Sequence, residues 1–228
     1  VSPMHLAVAL GRTDVVGALR KIYCEVNSKR DDGVTPLILA IKANDHEMVR
    51  FLLQLKIGGD PDYMCPLQVA AECGNLEAVR LLCTQWHEKL KPANLDKRGE
   101  DGSYPIFTAA LRGYTEIVKH LVLCKAQMDV VPRNDKTKRV VLHVAAELGD
   151  LQMVQCLCES GADKDKAMMN GWTPLHVACH QDHPEVVKFL CGAKCDLERQ
   201  TEDGWTPLLV AAQQSNRNLA LQLVHMYG

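Results

Sequence analysis

Aromatic side chains are scarce in this 228-residue chain: 3 Phe, 5 Tyr and 3 Trp amount to 5% of it. A close-packed core must therefore be aliphatic, built from Leu, Val, Ala and Met. An excess of positive charge is missing too. Lys and Arg number 26 against 28 Asp and Glu, a formal net charge of −2. A nucleic-acid grip needs concentrated Lys and Arg, so this balance argues against one. No apolar run approaches the roughly 20 residues of a spanning helix, and no signal-peptide pattern opens the chain. Phosphate-cradling glycine loops, Gly-x-Ser-x-Gly and His-Glu-x-x-His are absent, and the carboxylates are scattered as on a solvated surface.

Cysteine is plentiful at 10 residues, which raises the possibility of a disulfide scaffold. Its placement argues otherwise. Cys73, Cys83, Cys156, Cys158, Cys179 and Cys191 fall within helical apolar stripes, where a thiol serves as a small buried hydrophobe. Reduced thiols point to the cytosol, with the nucleus as an alternative. Cys156 and Cys158 lie two apart, on different sides of a helix, and Cys191 and Cys195 four apart, so neither pair is a Cys-x-x-Cys knuckle.

Aligned with itself, the chain repeats. Short segments centred on Pro3, Pro36, Pro66, Pro105, Val141, Pro174 and Pro207 recur at spacings of 33, 30, 39, 36, 33 and 33 residues. Four residues after each mark stands Ala: Ala7, Ala40, Ala70, Ala109, Ala145, Ala178 and Ala211. Eight after it stands a helix-ending residue: Gly11, Asn44, Gly74, Gly113, Gly149, Asp182 and Ser215. Sixteen after it stands Leu: Leu19, Leu52, Leu82, Leu121, Leu157, Leu190 and Leu223. All variation in length lies between that Leu and the next mark, the pattern of packed helices joined by tolerant surface loops. Thr-Pro opens a helix, because Thr caps free amides and Pro fits the first position. Gly or Asn closes it in a left-handed turn. A second helix follows with paired apolar residues, as in Val15-Val16 and Val186-Val187. One helix pair cannot cover its own apolar face, but stacked copies can.

These residues resemble the ankyrin repeat, whose Asp-Gly-x-Thr-Pro-Leu-His-x-Ala-Ala and Gly-His-x-Glu-Val-Val pattern is nearly literal at 171–187 and 204–212. The resemblance implies an all-α solenoid of seven helix-turn-helix units with short β-hairpin or loop connections. The expected units are 1–31, 32–61, 62–100, 101–136, 137–169, 170–202 and 203–228, one domain within a longer protein. Departures predict local differences. Val140-Val141 replaces Thr-Pro and predicts a looser helix start, Cys65 replaces Thr, and Asp182 and Ser215 predict strained or differently closed helix ends.

The resemblance assigns His5, His143 and His176 to structural hydrogen bonds that tie turn to helix. His176, His180 and His183 have spacings that bring imidazoles together, but no Cys or carboxylate completes a metal set at a fixed offset. No catalytic constellation emerges. The expectation is a chain that is not an enzyme, with no cofactor and no metal.

Similarity to ankyrin repeats modified by asparaginyl hydroxylases directs attention to Asn27, with Leu19, Glu25 and Val26 as its context; an ordinary turn Asn is the competing reading. In the family, partners meet the hairpin tips and the exposed ends of the first helices. Carried over, a concave binding face comprises Trp172, Trp205, Met168, Met169, Arg139, Leu148, His180, Gln181, Gln213 and Gln214. The two Trp are 33 residues apart and expected side by side; binding anchors and packing on a neighbouring hairpin remain equal alternatives. Two long connections, 88–101 and the basic 133–139, are further contact points, or only solvated loops. The function expected is a monomeric scaffold that binds another protein or peptide, without nucleic acid or membrane insertion. The alternative is a recruiting or autoinhibitory domain of a ubiquitin ligase, acyltransferase or kinase.

Overall fold

The computed structural model describes residues 2–22, 27–55, 65–86, 95–99, 101–214 and 217–227. Fourteen helices and no strand occur among them. They alternate short and longer. α1 (Pro3–Ala9), α3 (Pro36–Lys42), α5 (Pro66–Glu72), α7 (Pro105–Leu111), α9 (Val141–Leu148), α11 (Pro174–His180) and α13 (Pro207–Gln213) are the first helices of seven repeats. α2 (Thr13–Lys21), α4 (His46–Gln54), α6 (Leu76–Trp86), α8 (Thr115–Leu123), α10 (Leu151–Glu159), α12 (Pro184–Gly192) and α14 (Arg217–Tyr227) are the second. The fold class is an all-α solenoid of helix-turn-helix repeats.

The chain divides into two compact units, Val1–Thr108 and Ala109–Gly228. In the first, α1 packs on α3 and α3 on α5, while each first helix also packs on its own second helix. In the second, α9, α11 and α13 form one row and α8, α10, α12 and α14 another.

The fixed register has a direct physical basis. The recurrent Ala is buried in every repeat, from Ala7 to Ala211, because a methyl group is all that the facing helix leaves room for. Its carbonyl also accepts the amide that closes the helix: Asp45 N to Ala40 O at 3.1 Å, Tyr114 N to Ala109 O at 2.9 Å, His183 N to Ala178 O at 3.0 Å. Between them sits a left-handed residue, as that closure requires. Gly11, Gly74, Gly113 and Gly149 take it at φ 65–71°, and Asn44 and Asp182 are held there as well at φ 56° and 59°. Asp182 therefore keeps the ordinary closure and carries the left-handed strain of a residue with a Cβ; Ser215 lies outside the described residues. The recurrent Leu is fully buried from Leu52 to Leu223 and half-buried at Leu19.

Two expectations need correction. α9 begins at Val141, at the same register as its proline-led counterparts, with Val140 extended and fully buried. Packing replaces the missing proline, and the His143 ring accepts the Val140 amide (3.2 Å), so the start is not loosened. Cys73 is exposed rather than part of the buried stripe, because it is the C-cap of α5 and not an inward position. The expected hairpin or loop connections are, among the described residues, turns without strands, as in Thr201 N to Trp205 O (2.9 Å) with Gly204 N to Thr201 O (3.0 Å).

Candidate protein-binding face

In the second unit, three successive hairpin tips lead into α9, α11 and α13. Histidines fix their register. His143 accepts the Val140 amide at Nδ1 and donates Nε2–H to the carbonyl of Trp172 in the next repeat (3.2 Å). His176 repeats this with the Thr173 amide and hydroxyl at Nδ1 and the Trp205 carbonyl at 3.0 Å. His5 reaches the Val34 carbonyl at 2.8 Å in the first unit. Each of these bonds ties one repeat's helix to the hairpin of the next. Burial pushes the His143 imidazole down to about 4 and lowers His176 as well. Neutral rings suit a site where Nδ1 must accept.

The two tryptophans are placed differently. Trp172 is half-buried, its ring edge-on to His180 (5.2 Å, 80°) and tilted against His176 (6.1 Å). Trp205 is 36% exposed, with its amide donating to the Thr201 hydroxyl (3.1 Å). Beside Trp172 opens a recess of about 200 Å³, lined by Thr137, Arg139, His143, Glu147, Met168, Trp172, Val177, His180 and Gln181. Five of the expected residues thus converge: Arg139, Met168, Trp172, His180 and Gln181. Leu148 and Met169 are exposed outside the recess, as are Gln213 and Gln214. Gln214 still joins the site through a 2.7 Å bond between its amide nitrogen and His180 Nδ1.

Sequence reasoning missed His143 and Val177 as lining groups, while Thr137 lies in the 133–139 connection named as a contact point. Glu147, also in the lining, sits six residues after the repeat mark, where His180 also sits. Arg139 donates to Asp135 (3.0 Å) and Glu147 (2.9 Å), joining the tip to the end of α9. Burial pulls the Arg139 pKa down, but these carboxylates outweigh it and leave it raised. Burial works against the Asp135 carboxylate, and bonds from Thr137 and Arg139 hold it below the usual range.

The imidazoles named for a metal are committed elsewhere. His176 uses both ring nitrogens, and His183 bonds the Glu147 carbonyl at 3.0 Å. Burial pushes the Cys158 thiol up to about 11 and raises Cys179, away from reactive thiolates. Asn27 is half-buried; its neighbours Glu25 and Val26 lie outside the described residues, as does most of the 88–101 connection.

A family model for ankyrin repeats matches residues 4–91, 87–168 and 142–228. The chain belongs to the ankyrin-repeat family. A solved structure, the ankyrin repeat domain of Bcl-3, matches 99% of this chain and 98% of its own with a TM-score of 0.83 at 24% identity, a likeness of fold. Among curated relatives, the probable 26S proteasome regulatory subunit p28 of Saccharomyces cerevisiae is 31% identical over 157 residues, 64% of this chain and 64% of p28. The ankyrin repeat protein nuc-2 of Neurospora crassa is 32% identical over 168 residues, 71% of this chain but 15% of nuc-2. The chain thus spans less than two thirds of either relative. Ankyrin repeats are protein-protein interaction modules. No helix of the described residues is long and apolar enough to cross a membrane.

Proposed function

We propose that the chain is a scaffold or adaptor that binds a partner protein on the tips and inner-helix ends of repeats five to seven. The observation that carries this reading is the recess beside Trp172, where an aromatic wall, Met168 and a fixed guanidinium meet. Half-buried aromatics next to a pocket are the usual anchors of interfaces. Exposed Trp205, Met169 and Leu148 extend the apolar surface around it. The nine free cysteines among the described residues support a reducing compartment, cytosol or nucleus.

The test is affinity capture with mass spectrometry, comparing the wild type with Trp172→Ala/Trp205→Ala. Partners held by this face disappear from the variant while its helical circular dichroism is retained. An unchanged set of partners on a folded variant places the binding surface elsewhere. The similarity to p28 names one assembly to look for, since proteasome subunits in the captured set support a role of that kind. A second reading, a recruiting or autoinhibitory segment of a larger enzyme, draws support from the 15% share of nuc-2 that the chain spans; the full open reading frame decides it.

A further inference from the structure

The three tips are tied into a row by backbone bonds from Met169 N to Thr137 O (2.8 Å) and from Glu202 N to Asn170 O (3.1 Å). Exposed charge changes sign along that row. At the first tip Lys136 and Lys138 stand exposed, while the acid that precedes them, Asp135, is occupied by Thr137 and Arg139. The crest of the middle tip is uncharged: Met169, 60% exposed, then Asn170 and Gly171. At the third tip Glu202 and Asp203 are exposed. None of these four charges forms an ion pair among the described residues. Arg133, Lys166 and Arg199 share one register position and add the same charge to each hairpin, which leaves the difference between the ends intact.

We propose that this row binds an extended peptide segment whose own charge is ordered: acidic residues over Lys136 and Lys138, one large apolar side chain in the recess against Trp172, and basic residues over Glu202 and Asp203. The proposal rests on the reading of this face as the protein-binding one. Arg139 already holds two carboxylates, so the recess recognises an apolar group between Met168, Trp172 and Val177, and charge is read at the tips. A single exposed pair contributes little. Two ends of opposite sign discriminate by repulsion, since a peptide with like charges at both ends meets its own sign at one of them.

The test is selection from a library of displayed random peptides of about a dozen residues, long enough to run along several hairpins when extended. The baits are the wild-type chain, Lys136→Glu/Lys138→Glu and Trp172→Ala, each checked by circular dichroism. Wild type enriches peptides with acidic residues at one end, an apolar residue within, and basic residues at the other. The charge-reversed bait enriches peptides that are basic at both ends. By fluorescence anisotropy a wild-type-selected peptide binds the charge-reversed bait about five- to tenfold more weakly, with the difference shrinking as salt is added. Selection of peptides without opposite ends, or of none at all, overturns the proposal. Binding lost in Trp172→Ala but indifferent to charge reversal overturns the charge order alone. Binding indifferent to both overturns the assignment of the face as well.

Discussion

His143 is held in one tautomer by its two bonds, because the Val140 amide can only donate and Nδ1 must accept it. Burial, with the positive charge of Arg139 adding to it, holds its pKa at about 4 against an ordinary 6.5. The folded state therefore binds this proton less readily than the unfolded chain. The contribution of His143 to stability is complete above pH 6.5 and is lost as pH falls from there toward 4, on the order of 3 kcal/mol in all. His176 is shifted in the same direction. Urea midpoints should fall between about pH 7.5 and about pH 5, and less so in His143→Gln; equal losses in both proteins contradict this account. Gly171 is tested differently. Its φ is +81°, and a Cβ there comes within 2.8 Å of Glu202 N and 2.9 Å of Thr201 Cα, backbone atoms that cannot swing aside. Gly204 has φ +79° and open space around it. Gly171→Ala should cost about 3 kcal/mol and Gly204→Ala about 1 kcal/mol by chemical denaturation. Similar costs at the two sites remove the close approach of the tips as the reason for glycine.

At the scale of the element, the second helices α8, α10 and α12 end in the same left-handed closure as the first helices. α12 ends with Lys194 N bonding Cys191 O at 3.0 Å and Cys195 N bonding Leu190 O at 3.4 Å, and Lys194 lies at φ +61°. The same register position holds Gly161 at φ +94° in the fifth repeat and Lys125 at φ +71° in the fourth. Lys194 is exposed, so glycine loses little contact there and removes the left-handed strain. Lys194→Gly should stabilise by about 1 kcal/mol, read as a raised melting temperature; a lowered one means the lysine makes up for its strain in other ways. Among the described residues, the one nine after the repeat mark closes the first helix with its amide, and in the second, third and fifth repeats it also caps the second helix with its side chain: Asp45 for Met48 N (3.0 Å), Asn75 for Ala78 N (2.9 Å) and Asp150 for Met153 N (2.9 Å).

For the whole molecule, stability comes from repetition of one buried register. The fixed Ala is buried in all seven repeats, and the fixed Leu is fully buried in six. Covalent staples play no part among the described residues, whose nine cysteines are free. Thermal melts with and without reductant should therefore coincide. A melting temperature lowered by reductant reveals a disulfide and reverses the reading of the thiols. Each compact unit has its own buried aliphatic side chains, including Leu52 and Leu82 in one and Leu121 and Leu157 in the other.

The repeat, the helix pairs and the buried register were legible in sequence because a stacked array imposes the same constraint at every copy, and a constraint applied seven times shows as a pattern. The tryptophans, Arg139 and the histidines were legible for the same reason, each at a fixed offset from a repeat mark. Tertiary structure alone decided what has no period. It set Arg139 between Asp135 and Glu147, turned Trp172 onto His180, and let Val140 start a helix without Thr-Pro. It also brought the oppositely charged tips into one row. These outcomes depend on which side chains of neighbouring repeats meet, and that is set by close approach in space rather than by spacing along the chain.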